Sequence, residues 1–240
     1  MKKKPTAFCF LITVLGIAGM IVRYFLYQFG PDSRGLLPAA HPLEILLWIL
    51  TALTALLVLL FIRSPEAASD PVSGVPVSVG TWAMALAILL TLFTSDVSAI
   101  PLLTLVHRVL AVLSALGLAA AGYFQMRRKK PVFGCYLAAA LFFAVHAVAR
   151  YRTWSSIPQM QSYVFSLLGC ILLALFAYQQ SAAQSGIGSR GMRLFSGFMG
   201  FYCCCAALPH GEFPTLYLAG ALWAMTSLWY RRPAPEKEGS

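Results

Sequence analysis

Apolar runs of nearly one length recur along this chain, and the charges that bound them keep a regular spacing. Lys4 to Arg23, Glu44 to Arg63, Arg108 to Arg127 and Glu212 to Arg231 are each 19 residues apart, and Lys130 to Arg150 is 20. At 1.5 Å per helical residue these separations are about 28–30 Å, close to the thickness of a bilayer's hydrocarbon core. A chain cut to that measure has few options. Lipid offers no partner for backbone N–H and C=O groups, so each run must close its own hydrogen bonds as an α-helix.

Composition agrees that the solvent is lipid. Of 240 residues 59% are hydrophobic and 11% charged, against roughly 25% charged in soluble proteins, which is too few to cover a water-facing surface. Weighing runs against breaks predicts a single all-α bundle of eight transmembrane spans: 5–29, 41–63, 77–96, 101–126, 131–152, 157–180, 192–210 and 213–231. A disordered tail, 232–240, follows. The third and seventh spans carry the weakest signals, one because it is short and the other because "GFMGFYCCCAALP" is rich in Gly and Cys. The basic start "MKKK" followed by an apolar run is the shape of a signal peptide, but the run continues through "IVRYFLYQF" and reads as an uncleaved first span.

A net charge of +10 would point to nucleic acid in a soluble protein, and the position of the charges removes that reading. With eight spans and both termini cytoplasmic, thirteen of the eighteen Lys and Arg residues, including all six lysines, fall on the inner side. That is the asymmetry by which membrane proteins orient, with basic loops retained in the cytoplasm. The expected setting is a multi-pass protein of the cell membrane that has the bilayer as its partner and no contact with nucleic acid. An oligomer or a partner subunit stays open.

The charges that remain form a layer near the outer interface: Arg23, Glu44, Asp96, His107, Arg108, His146, Arg150 and Arg152, with His210 and Glu212. At that depth an arginine costs far less than at the bilayer centre. On a helical wheel Arg108 shares a stripe with Thr104, Ala111, Ala115, Ala119 and Gly122, and Arg23 shares one with Gly16 and Gly19. Small residues mark faces where helices approach closely, so the layer is expected to face inward.

Other chemistry is thin. Counting from the inner charges sets His107 and His146 about 6 Å apart in depth, and no His-x-x-x-His or Cys-x-x-Cys spacing occurs, so no metal, haem or other cofactor is expected. Cys203, Cys204 and Cys205 point in different directions on a helix and read as packing. No phosphate-binding glycine loop precedes a helix in the required context. "KKPTAFC" and "KKPVFGC" open the first and fifth spans alike. That leaves two readings, a parallel repeat of four spans or a shared inner boundary.

The function expected from this layer is a transporter-like or ligand-binding protein that takes a small anionic molecule or lipid headgroup from the outer face. Arg108, Arg23 and Arg150 would hold the anion, Glu44 and Asp96 would act as counter-ions, and His107 and His146 would couple binding to protonation between about pH 5 and 8. A membrane enzyme acting on a lipid or polyprenyl phosphate would use the same layer. An accessory subunit would use it only for ion pairs. The topology itself predicts that Asp96→Cys and Arg128→Cys react with an impermeant thiol reagent from opposite sides of the membrane.

Overall fold

Proline stands in the first turn of α2, α3 and α4, where its missing N–H leaves no intrahelical bond unmade. The computed structural model describes residues 4–31, 41–64, 74–93, 100–129, 131–155, 163–210 and 212–229. Over them run eight helices: α1 (Lys4–Phe29), α2 (Pro42–Ile62), α3 (Val75–Leu90), α4 (Pro101–Met126), α5 (Gly134–Trp154), α6 (Val164–Gln184), α7 (Arg190–Ala207) and α8 (Pro214–Trp229). No strand occurs among the described residues. Asp96 and the tail 232–240 lie outside them.

Side chains and a left-handed turn set several boundaries. His41 Nδ1 accepts from the Leu43 N–H at 3.3 Å to cap α2. Beyond α6, Gly186 takes φ +78°, and the N–H groups of Ile187 and Gly188 both donate to the Ala182 carbonyl at 3.1 Å. The sixth helix therefore runs past the expected end at 180, while 157–162 of the expected span lie outside the described residues. Its polar end is used rather than exposed: Gln179 Oε1 accepts from the Ser189 N–H, and Ser181 Oγ donates to the Phe133 carbonyl at 2.8 Å. The third helix stops at Leu90 and tightens into a 3-10 turn, Thr91–Phe93.

Helices α3 to α8 each pack on the next, and α8 returns to α3, closing a ring of six. Helices α1 and α2 lie outside that ring and both pack on α7. The centre is thus α7, with fourteen of its eighteen residues buried. Its Gly and Cys content reduces its apolar signal and is also the reason it can be central, because small side chains let four neighbours approach at once. The two halves do not pack alike. Helix α6 lies along α7, whereas α2 and α3, their counterparts in a four-span repeat, do not lie along one another, so the shared Lys-Lys-Pro start marks a common boundary.

The outer surface is a band of large apolar side chains. Ile17 and Ile21 on α1, Ile49, Leu53 and Leu56 on α2, and Leu105, Val109 and Leu116 on α4 are all exposed. No water-soluble surface carries apolar area on that scale. Six helices, α1 to α6, are long and apolar enough to cross a membrane.

The register of the α4–α5 hairpin is set by its turn. Arg128 takes φ 55° and the Lys129 N–H donates to the Phe124 carbonyl at 2.9 Å, so the chain doubles back along α4 before α5 starts. As a result Cys135 lies against Gly117 and the Ala138 carbonyl accepts from Ser114 Oγ at 2.7 Å. A Cβ on Gly117 would sit 2.8 Å from the Cys135 carbonyl oxygen and 3.2 Å from its Cα, whereas one on Gly134 would meet nothing within 4 Å. Ala gains more helix propensity at mid-helix Gly117 than at Gly134, the first residue of α5, so a lower stability at 117 reports the clash against that gain. Gly117→Ala is expected to be less stable than Gly134→Ala by about 1–3 kcal/mol, measured by thermal unfolding in detergent.

Candidate functional site

His146, Arg150 and Trp154 are four residues apart on α5 and therefore form one face. That face turns inward. All three are buried, together with His107 on α4. The hairpin register continues up to them, each step down α4 matched by a step up α5, and it brings His107 Nε2 to 2.9 Å from His146 Nδ1. This corrects the 6 Å difference in depth expected from counting. The count assumed that α5 starts level with the end of α4, and the doubled-back turn starts it alongside Gly117.

The pair has a definite chemistry. One proton lies between the facing nitrogens, and with both rings neutral the two far nitrogens must differ. If His107 donates, its Nδ1 is a bare lone pair and His146 Nε2 carries N–H; if His146 donates, the assignment reverses. A proton taken at one end can therefore leave from the other. Neither His107 Nδ1 nor His146 Nε2 has a hydrogen-bond partner, and Arg150 Nε is also unpartnered.

One turn beyond His146 on α5, Arg150 Nη1 lies 2.7 Å from Glu212 Oε2. Glu212 Oε1 accepts from Trp154 Nε1 at 3.0 Å. The guanidinium also sits over the Phe213 ring at 4.1 Å, and Phe213 meets His146 edge-on at 5.3 Å. Glu212 precedes the first turn of α8, where the helix dipole favours a negative charge. It is 39% exposed, while Arg150 is 6% exposed. The cluster is thus a buried cation closed by one half-exposed carboxylate, with an apolar aromatic wall.

The remaining expected residues do not join this cluster. Arg23 is buried, but its Nη1 donates to the Ala206 carbonyl at 2.7 Å and its guanidinium lies over Tyr27 and Phe165. A cation at the last turn of α7 matches that helix's dipole and ties α1 to it. Glu44 is half-buried in the first turn of α2, again at a favourable helix end. Arg108 is exposed, against the expectation that it faces inward. The buried face of α4 runs through Thr104, His107, Ala111, Ser114, Leu118 and Gln125, which leaves Arg108 and Ala119 just beyond its edge. Of the small residues of the expected stripe, Ala111, Ala115 and Gly122 are buried and Ala119 is exposed, so the buried face is turned part of a residue away from Arg108.

Glu212 is the partner that sequence reading passed over. Its place just before α8, 19 residues from Arg231, already put it in the same charged layer as Arg150. Among the described residues no group of three or more His, Cys, Asp or Glu converges to hold a metal ion. No family model, curated protein or solved structure matches this chain.

A double-mutant cycle tests the ion pair. Glu212→Gln leaves the buried guanidinium short of a charge and is expected to cost about 1–3 kcal/mol, toward the low end because the carboxylate is half-exposed. Combined with Arg150→Met, thermal unfolding in detergent should return a coupling of about 0.5–3 kcal/mol. A coupling of zero would refute the pair as a structural unit.

Proposed function

We propose that the chain is a transporter-like, ligand-binding protein of the cell membrane. It crosses eight times with both termini in the cytoplasm, and it takes a small anionic molecule or lipid headgroup from the outer face. In support of eight crossings, α7 packs among α1, α2, α6 and α8, α8 closes the ring between α7 and α3, and an even count keeps every basic cluster on one side. The ligand's acidic group exchanges with Glu212 for Arg150, whose planar guanidinium suits a carboxylate or phosphate. The histidine pair beside it moves a proton as the charge of the site changes.

One observation carries this reading: three polar nitrogens of His107, His146 and Arg150 are buried in one cluster with nothing bonded to them. A buried unpaired polar group costs about 1–3 kcal/mol, and such a cost is sustained where a ligand or ordered water supplies the missing bond. A second reading rests on the bare nitrogen of the histidine pair, which can serve as a general base. On that basis the site belongs to an enzyme acting on a lipid or polyprenyl phosphate at the outer interface.

Mass spectrometry of molecules retained through mild-detergent purification tests the proposal. A specific anion is expected with the wild type, reduced with Arg150→Lys and lost with Arg150→Ala. Bulk lipid alone in all three samples, with Arg150→Ala merely less stable, would leave the ion pair a structural device and refute ligand binding.

A further inference from the structure

The basic end of the bundle holds a second buried polar group, on the far side of the core from the histidines. Phe8 stacks on Phe61 there at 3.9 Å, and Ser181 bonds to Phe133, so the ends of α2 and α6 meet the starts of α1 and α5. In the same layer Thr81 Oγ1 donates to Gln125 Oε1 at 2.9 Å, and Gln125 Nε2 donates to the Tyr136 hydroxyl at 2.6 Å. The Tyr136 ring stacks on Trp223 of α8 at 6.4 Å. Four helices, α3, α4, α5 and α8, thus bring hydrogen-bonding side chains to one buried place.

That place is incompletely satisfied. Trp223 Nε1 and Ser227 Oγ have no hydrogen-bond partner, though both residues are more than nine-tenths buried. They are four residues apart and share a face of α8. Toward the other end the same helix carries Tyr217, whose hydroxyl lies 3.9 Å from Cys170 Sγ on α6. Ser166, one turn before Cys170, is buried with its hydroxyl unpartnered. Every unpartnered buried side-chain atom among the described residues lies on α4, α5, α6 or α8.

We infer that the seam between α8 and helices α3 to α6 is a path with two gates. One buried polar cluster, His107, His146 and Arg150, marks one end of it with Ser166 on α6, and a second, Thr81, Gln125, Tyr136, Trp223 and Ser227, marks the other. The solute is a small oxyanion or carboxylate, because the unpartnered groups are chiefly donors: Arg150 Nε–H and Trp223 Nε1–H can only donate, and the hydroxyls of Ser166 and Ser227 can also do so. Tyr217 and Trp223 are six residues apart, about 9 Å along α8. Leu173 and Phe176 fill the space between, with Phe176 edge-on to Trp223 at 5.0 Å. The two polar clusters are thus separated by packed apolar side chains, the arrangement an alternating-access carrier needs when neither side is open. This inference rests on the anion-binding reading and turns it from a one-sided site into a carrier.

Cysteine accessibility in sealed vesicles containing the full chain tests it. The probes are an anionic sulfonate-bearing methanethiosulfonate and its cationic ammonium analogue, added to one face at a time. Adducts are counted by mass spectrometry above the parent chain's own labelling. Ser166→Cys should react from the Arg150 face and Ser227→Cys from the basic face, each faster with the anionic reagent. Thermal unfolding confirms that each variant is folded, and Thr81→Cys in the same polar cluster replaces Ser227→Cys if that variant fails. Ser227→Cys and Thr81→Cys both inert from either face, with Ser166→Cys reactive, would overturn the carrier and leave the outer anion site standing. All positions inert, with no anion retained on purification, would remove both.

Discussion

Inside a bilayer, helices gain nothing by exchanging a lipid neighbour for an equally apolar helix, so close packing and satisfied polar contacts must hold the bundle together. Helix α7 meets that requirement for its neighbours. Its Gly and Cys residues let α1, α2, α6 and α8 approach together, and its last turn receives the Arg23 guanidinium on the Ala206 carbonyl. Remove that central helix and α1 and α2 keep, besides each other, only the Phe165 contacts with α6 and a small contact of α1 with α8, while the ring of α3 to α8 opens. The least membrane-like run in the chain is therefore the one around which the lipid-facing helices are arranged.

The polar residues divide into two kinds by how completely they are used. Arg23 is surrounded by a carbonyl and two rings, and Thr81 and Gln125 are bonded in sequence. His107, His146, Arg150, Ser166, Trp223 and Ser227 each keep one atom unbonded in a setting where a missing bond is costly. Packing alone selects the first kind and works against the second. Among the described residues the unbonded atoms all lie on α4, α5, α6 and α8, whereas the fully bonded groups tie helices together.

Much of the architecture was legible because a membrane imposes a ruler. The fourth helix runs Pro101–Met126, as the apolar run and its flanking Pro and Arg indicate. The buried side of α4 was also readable to within part of a turn from its small residues. What counting missed is non-local. The depth of His146 depends on how the Arg128 turn folds back, and nothing in the residues of α5 records that. The polar group of Thr81, Gln125, Tyr136 and Ser227 leaves no signal in the sequence because these residues are far apart in the chain and ordinary one at a time. The tie of Arg23 to α7 leaves no sequence signal either, because the carbonyl it serves is 183 positions away.

That separation has a consequence for how the protein is made. Synthesis runs from the N-terminus at roughly 5–20 residues per second, so about 10–40 s pass between the emergence of Arg23 and that of Ala206. Through that interval α1 and α2 wait in lipid as a hairpin, with a guanidinium that has not yet met its acceptor. The 19-residue spacing from Lys4 keeps the charge at the interface, where headgroup phosphates can hold it meanwhile. The same spacing that sets the span thus doubles as a holding position, from which Arg23 transfers to α7 once the last third of the chain arrives.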